Sequence, residues 1–219
     1  MTAKTQIALF VALCLMLMGC AVERNVKLDT RLPLHPAIEQ VPLRIGLYYS
    51  PEFLAFTKKF EVACSPSERS DIFFIFPIGA ASRDLFDQII ASMFTSVTRL
   101  SNLSQSANRE SSLDGLLEPQ IESFAWESVC SKPNTLSHLL ASIRYRVNLY
   151  DPGGQLVASM QMEGFGYERP RVCFGNCKDS FATEQAIQDA MAKFMLEFCD
   201  QPEVKHWMST LGISCGDRQ

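Results

Sequence analysis

Histidine is scarce in this 219-residue chain, with only His35, His138 and His206. Each reads as a surface or capping residue rather than as a ligand or a catalytic base. No run of lysine and arginine tracks phosphates, so nucleic acid is not expected as a partner. No nucleophile elbow is present: Gly79-Ala80-Ala81-Ser82 has the wrong spacing. Gly164-Phe165-Gly166 follows a strand, but no helix opens there to cradle a phosphate. Glu118 and Glu122 sit among solvated positions, with no apolar setting to raise a carboxyl pKa. The apolar run from Ile7 to Met18 is too short for a lone membrane anchor. Its twelve residues reach about 18 Å as a helix, against a bilayer core of about 30 Å. These absences set the expectations of no enzyme activity, no metal and no cofactor.

What is present begins with an address. Lys4 and the amino terminus form a positive end, the apolar run follows, and Leu17-Met18-Gly19-Cys20 closes it. That closing stretch resembles a lipobox. Small Gly19 admits the cleavage site to a protease, and the Cys20 thiol then takes a diacylglyceryl group. Residues 1–19 are expected to be a lipoprotein signal, cleaved between Gly19 and Cys20. Two or three acyl chains hold stably to a bilayer, at about 0.8 kcal/mol per buried CH₂. The competing readings are a plain secretory signal and a membrane anchor. Ala21 follows the cysteine where an aspartate would resemble an inner-membrane retention signal. The expected location is therefore the periplasmic face of the outer membrane, lipid-anchored.

Losing Lys4 with the leader takes the formal charge from −4 to −5, mildly acidic. Besides Cys14 and Cys20, six cysteines remain: Cys64, Cys130, Cys173, Cys177, Cys199 and Cys215. An even number in an exported chain points to disulfides. Cys173 and Cys177 flank a Gly175-Asn176 turn. Cys199 and Cys215 flank a short terminal helix that has little core of its own. Elimination leaves Cys64 with Cys130. Free buried thiols and a metal site are the alternatives, although three residues between Cys173 and Cys177 suit neither a redox motif nor a zinc knuckle.

Residues 20–41 lack periodicity and contain Pro33 and Pro36, which reads as a flexible tether of roughly 25 Å mean reach. Residues 42–219 read as one domain. Strands are expected at Leu43–Tyr49, Lys58–Val62 and Ile72–Phe76. The last run is apolar on every residue, as in a strand buried on both faces or one facing a ligand groove. Ser82 is the expected N-cap of a helix whose stripe runs from Leu85 to Val97. Leu117–Trp126 is a strand interrupted by Pro119, which suits an edge or bulge. The strongest signal is a hairpin. Ala141, Ile143, Tyr145, Val147 and Leu149 alternate with polar residues, Asp151-Pro152-Gly153-Gly154 turns, and Leu156 to Met162 alternates again. Gly164–Asp179 reads as a loop, Ser180–Phe198 as an amphipathic helix, and Pro202 opens a last short helix. The expected fold is α+β, a mostly antiparallel sheet with two long amphipathic helices packed on one face. Met160, Met162, Met191 and Met195 fall on the inward faces, as core filler or as the lining of a lipid groove.

The stretch Ala141–Tyr150, Asp151-Pro152-Gly153-Gly154, Leu156–Gly164 and Ser180–Phe198 resembles the LptE-like lipopolysaccharide-assembly lipoproteins. Auxiliary lipoproteins of ABC-type lipid transporters share the layout. The resemblance implies a non-enzymatic accessory in envelope assembly or transport, partnered by the membrane and an envelope protein complex. A periplasmic lipid-binding protein, or an enzyme with an unrecognised site, remains the alternative. The candidate binding face is the polar side of the hairpin. There Arg144 and Arg146 point the same way about 7 Å apart and could donate bidentately to anionic groups.

Overall fold

The structure, a computed structural model, describes residues 22–29, 31, 40–61, 72–102, 113–132, 135–169 and 180–214. The elements in chain order are β1 (Val22–Asn25), β2 (Val41–Tyr48), α1 (Pro51–Leu54), β3 (Lys58–Glu61), β4 (Ile72–Phe76), α2 (Ile78–Met93), β5 (Phe94–Leu100), β6 (Gly115–Lys132), β7 (Thr135–Tyr150), β8 (Leu156–Glu168), α3 (Phe181–Glu197) and α4 (Pro202–Thr210). A 3₁₀ turn, Phe198–Asp200, joins the last two helices. The fold is α+β. A five-stranded sheet runs β5-β2-β6-β7-β8, and a three-stranded one runs β1-β4-β3.

The expectation of a mostly antiparallel sheet needs correction. Three of the six strand pairings are parallel: β1 with β4, and β2 with both β5 and β6. One of these pairings, β2 with β5, comes from a strand that helical spacing hides. Phe94 and Val97 extend the helical spacing of α2, but Thr95, Val97 and Thr98 are β-branched and favour extended backbone. The helix therefore stops at Met93, and the chain returns alongside β2. The helix also starts earlier than expected. Pro77 is its N-cap, so Ser82 is not a cap but a fully buried residue of the helix interior.

The tether is the second correction. Val22–Asn25 pairs in parallel with β4, and Val26 is buried in the core. Beyond it, the Asp29 amide donates to Glu184 Oε1 at 2.7 Å, and Gln188 Nε2 donates to the Arg31 carbonyl at 3.0 Å. Residues 22–29 and Arg31 are thus held on β4 and along α3. Four residues with no apolar alternation make a strand only because β4 offers a partner, and sequence periodicity does not record that.

β6, β7 and β8 form a long antiparallel meander. Asp151 organises the β7–β8 turn: its carboxylate accepts from the Gln155 amide at 2.8 Å, and Gly154 has φ +82°. β2 pairs with β6 only as far as Leu117, so Pro119 falls where that edge of β6 is no longer bonded. An extra residue, Glu122, bulges β6 between Ile121 and Ser123.

The inner face of the meander is filled. Tyr145 is fully buried and meets Phe86 of α2 edge-on at 5.4 Å, while Phe86 meets Phe194 of α3 at 6.2 Å. Met160, Met162, Met191 and Met195 are all core residues. Phe74 and Phe76 of β4 pack with Phe60, Phe124 and Trp126, so these two residues of the apolar run are core, while Phe73 and Ile75 are half-buried. α3 approaches β8 closely because Gly164 and Gly166 face it. A Cβ on Gly166 would fall 1.7 Å from the Ala182 carbonyl oxygen, and one on Gly164 would fall 2.0 Å from that of Ala186. The small stripe Ala182, Ala186 and Ala190 completes that contact. The strand therefore continues to Glu168, where these glycines had marked a loop.

Candidate functional site

Alternation along the meander leaves its other face to solvent. That outer face divides into two ends of different chemistry. Near the β7–β8 turn it is polar and internally paired. The Tyr150 hydroxyl donates to Glu118 Oε2 at 2.9 Å, and Ser159 bonds Asn148 at 2.8 Å. Arg144 meets Glu163 Oε1 at 3.1 Å. Arg146 pairs with Glu122, whose oxygens also accept from Gln161 Nε2 at 3.2 Å. The two candidate arginines share a face as expected from alternation, and each is ion-paired to a neighbouring strand. Glu118 also departs from expectation: it is buried. Burial pushes the Tyr150 hydroxyl above its ordinary range, and the Glu118 contact adds to that.

Further along the strands the face turns apolar. Register places Leu140 opposite Tyr167 and Ser142 opposite Phe165 on β8, with Glu127 and Ala125 on β6. Phe165 is 57% exposed, Tyr167 45% and Leu140 38%, large values for side chains of this kind grouped together. They rim a concavity of about 500 Å³ whose floor includes the small residues Ala125 and Ser142. The His138 and Tyr167 rings lie 5.3 Å apart. The β8 edge beside this slot is closed by α3. The Phe165 amide donates to Asp189 Oδ2 at 3.0 Å, the Tyr167 amide to Gln185 Oε1 at 2.9 Å, and Lys193 Nζ to the Glu163 carbonyl at 2.6 Å. With the Phe165 and Tyr167 N–H groups occupied, this end of β8 is not an open template for another strand. A partner is offered side chains here rather than backbone.

Sequence reasoning missed Leu140, Phe165 and Tyr167. The signal existed: Ser159, Gln161, Glu163, Phe165 and Tyr167 share one parity, but ending the strand at Gly164 hid the last two.

A second concavity of about 340 Å³ lies between α1 and β6, bordered by Ser50, Glu52, Phe53 and Glu118. Backbone and Ser50 hydrogen bonds at the helix start hold the Glu52 carboxyl below its ordinary range. Among the described residues no group of three His, Cys, Asp or Glu side chains could hold a metal ion. No described helix is long and apolar enough to cross a membrane.

Of the cysteines, Cys199 is disulfide-bonded. Cys130 is on β6 opposite Leu136, with its side chain outside the description. Gly19, Cys20, His35, Cys64, Cys173, Cys177 and Cys215 lie outside the described residues.

No family model matches the chain, and no curated protein matches it. Among solved structures, it is similar to a Xanthomonas campestris protein of the DUF330 family, with 16% identity, 80% of this chain and 92% of that one covered, and a TM-score of 0.47. It is similar to a minor lipoprotein from Acinetobacter baumannii at 6% identity, covering 82% and 100%, TM-score 0.42. A further likeness is to an uncharacterized lipoprotein B from Nitrosomonas europaea, at 10% identity, covering 83% and 93%, TM-score 0.37. At TM-scores below 0.5, none of these likenesses bears on what the chain does.

Proposed function

We propose that this chain is an exported lipoprotein, anchored by an acylated Cys20 at the periplasmic face of the outer membrane. It serves an envelope assembly or transport complex as a non-enzymatic accessory, in the manner that the LptE-like resemblance implies. It docks through the outer face of the meander. The anchor rests on Leu17 to Cys20 closing a short apolar run. A disulfide at Cys199 suits an oxidising compartment, and we assign its other half to Cys215, across α4.

The observation that carries the docking surface is the exposed trio Leu140, Phe165 and Tyr167 around the slot. The opposite sheet face is consumed by helices, so these side chains have no core left to join. An exposed apolar cluster rimmed by polar residues marks an interaction site more often than a random surface does. The occupant is an apolar side chain of a protein partner, flanked by the paired polar end of the face. The test is a photo-crosslinking residue placed at position 140 in the living envelope, with one at position 205 on α4 as control. A defined protein adduct at 140, lost when Phe165→Ser is added, supports the reading. Adducts to acyl chains alone make the slot a lipid site and overturn it.

A further inference from the structure

We infer that the β1-β4-β3 sheet is a membrane-contact surface for phospholipid headgroups, and that the anchor holds the protein against the bilayer with almost no slack. This rests on the lipoprotein reading of Cys20. One residue, Ala21, separates Cys20 from Val22, where β1 begins. At no more than about 3.6 Å per residue, the acylated residue lies within about 7 Å of the strand. β1 is itself fixed to β4 over four residue pairs. The following segment is fixed as well, through Val26 in the core and Asp29 on Glu184. A lipid on Cys20 is therefore a lipid on the small sheet, not on the end of a coil.

The surface brought to the bilayer suits headgroups. Lys59 is exposed on β3 and Lys27 just after β1, while Arg24 and Lys58 share rows with Phe74 and Phe76 on the opposite face. Register puts Lys59, Asn25 and Ile75 in one row across the sheet, with Glu23, Phe73 and Glu61 in the next. Lys59 sits 4.1 Å over the Phe73 ring and bonds Glu23 at 2.6 Å. Phe73 and Ile75 are half-buried, so the outward face carries apolar side chains among the charges. The opposite face of this sheet is occupied by the aromatic cluster with Phe124 and Trp126, which leaves the outward face to meet lipid. Screening at physiological ionic strength acts over about 8 Å, and a leash this short keeps these cations inside that range.

The experiment compares the lipidated full-length mature protein in phosphatidylethanolamine–phosphatidylglycerol vesicles with the same protein in detergent, by amide hydrogen exchange. Peptides covering Val22–Asn25 and Lys58–Glu61 should exchange several-fold more slowly on vesicles, and α4 should not change. A flexible glycine–serine insert after Ala21 should keep the protein on vesicles and abolish the slowing. Mass spectrometry of the N-terminal peptide runs alongside. Without acylation of Cys20, both the anchor and this surface are rejected. With acylation present and β1 and β3 exchange unchanged, or with slowing that survives the insert, the lipoprotein reading stands and this inference is overturned.

Discussion

The two faces of the β6–β7–β8 meander are built from the same strands and differ in almost everything else. On the inner face, Tyr145, Val147, Met160 and Met162 are buried under two helices, and each side chain has neighbours fixed by shape. On the outer face, half the length is an internal ladder of ion pairs and amides, and the other half is an apolar slot with nothing described over it. Alternation decides which residues share a face. It does not say whether a face is finished. The inner face is finished by the chain itself. The outer face is finished at its polar end by cross-strand pairing, and its apolar end is left incomplete.

The largest effect should come from the tightest inner contact. Gly166→Ala places a methyl group against the Ala182 carbonyl. Because backbone must move, we expect a loss of about 3 kcal/mol or more, read as a lower urea midpoint. A variant of near wild-type stability would mean that α3 does not approach β8 as described.

Next in size is the buried hydroxyl pair of Ser82 and Tyr145, 2.5 Å apart. Tyr145→Phe leaves Ser82 unsatisfied in the core and should cost about 1–3 kcal/mol. Adding Ser82→Ala should recover part of that loss. Additive losses in the double-mutant cycle would show the two hydroxyls to be uncoupled.

The same burial gives a pH dependence. Burial raises the Tyr145 hydroxyl above its ordinary value of 10.0. It raises Tyr49 likewise, with the bonded Asp87 carboxylate adding to the effect. Above about pH 10 the unfolded chain releases these protons and the folded one keeps them, so stability is present below that pH and falls as pH rises beyond it. The tyrosinate absorbance of Tyr49 and Tyr145, identified by difference from Tyr49→Phe and Tyr145→Phe, should appear together with unfolding. Smooth ionisation in a folded protein would contradict the burial of both rings.

The smallest effect belongs to the polar end of the outer face. Arg144 and Arg146 are each about half exposed in their ion pairs, and such pairs contribute about 0–1 kcal/mol. Arg144→Ala with Arg146→Ala should shift Tm by only a few degrees. It should impair cellular function less than changes at Leu140 and Phe165. The reverse order of impairment would return the working surface to the arginines.

Much of this architecture was legible wherever a segment's own pattern decides it. The hairpin around Asp151-Pro152-Gly153-Gly154 and the stripe of α3 follow from period and turn chemistry. What stayed hidden depends on partners distant in sequence. Val22–Asn25 is a strand because β4 is beside it. Phe94 and Val97 read as helix by spacing, and their segment becomes a strand because β2 lies beside it. Gly164 and Gly166 read as a loop because glycine weakens a strand, while their cause is a helix pressed against them. The site suffered from that last error. A strand cut at Gly164 leaves Phe165 and Tyr167 out of the face they belong to, and it turned attention to the arginines, whose partners Glu122 and Glu163 lie on other strands.

Leu140→Ser combined with Phe165→Ser tests the unfinished apolar end most directly. The variant should keep its Tm within a few degrees, since surface substitutions away from special features change stability by about 0.5 kcal/mol or less, and it should remain in the membrane fraction. Expressed at wild-type level in a deletion strain, it should fail to restore envelope function. A stable, membrane-bound double variant that restores function fully would contradict the account.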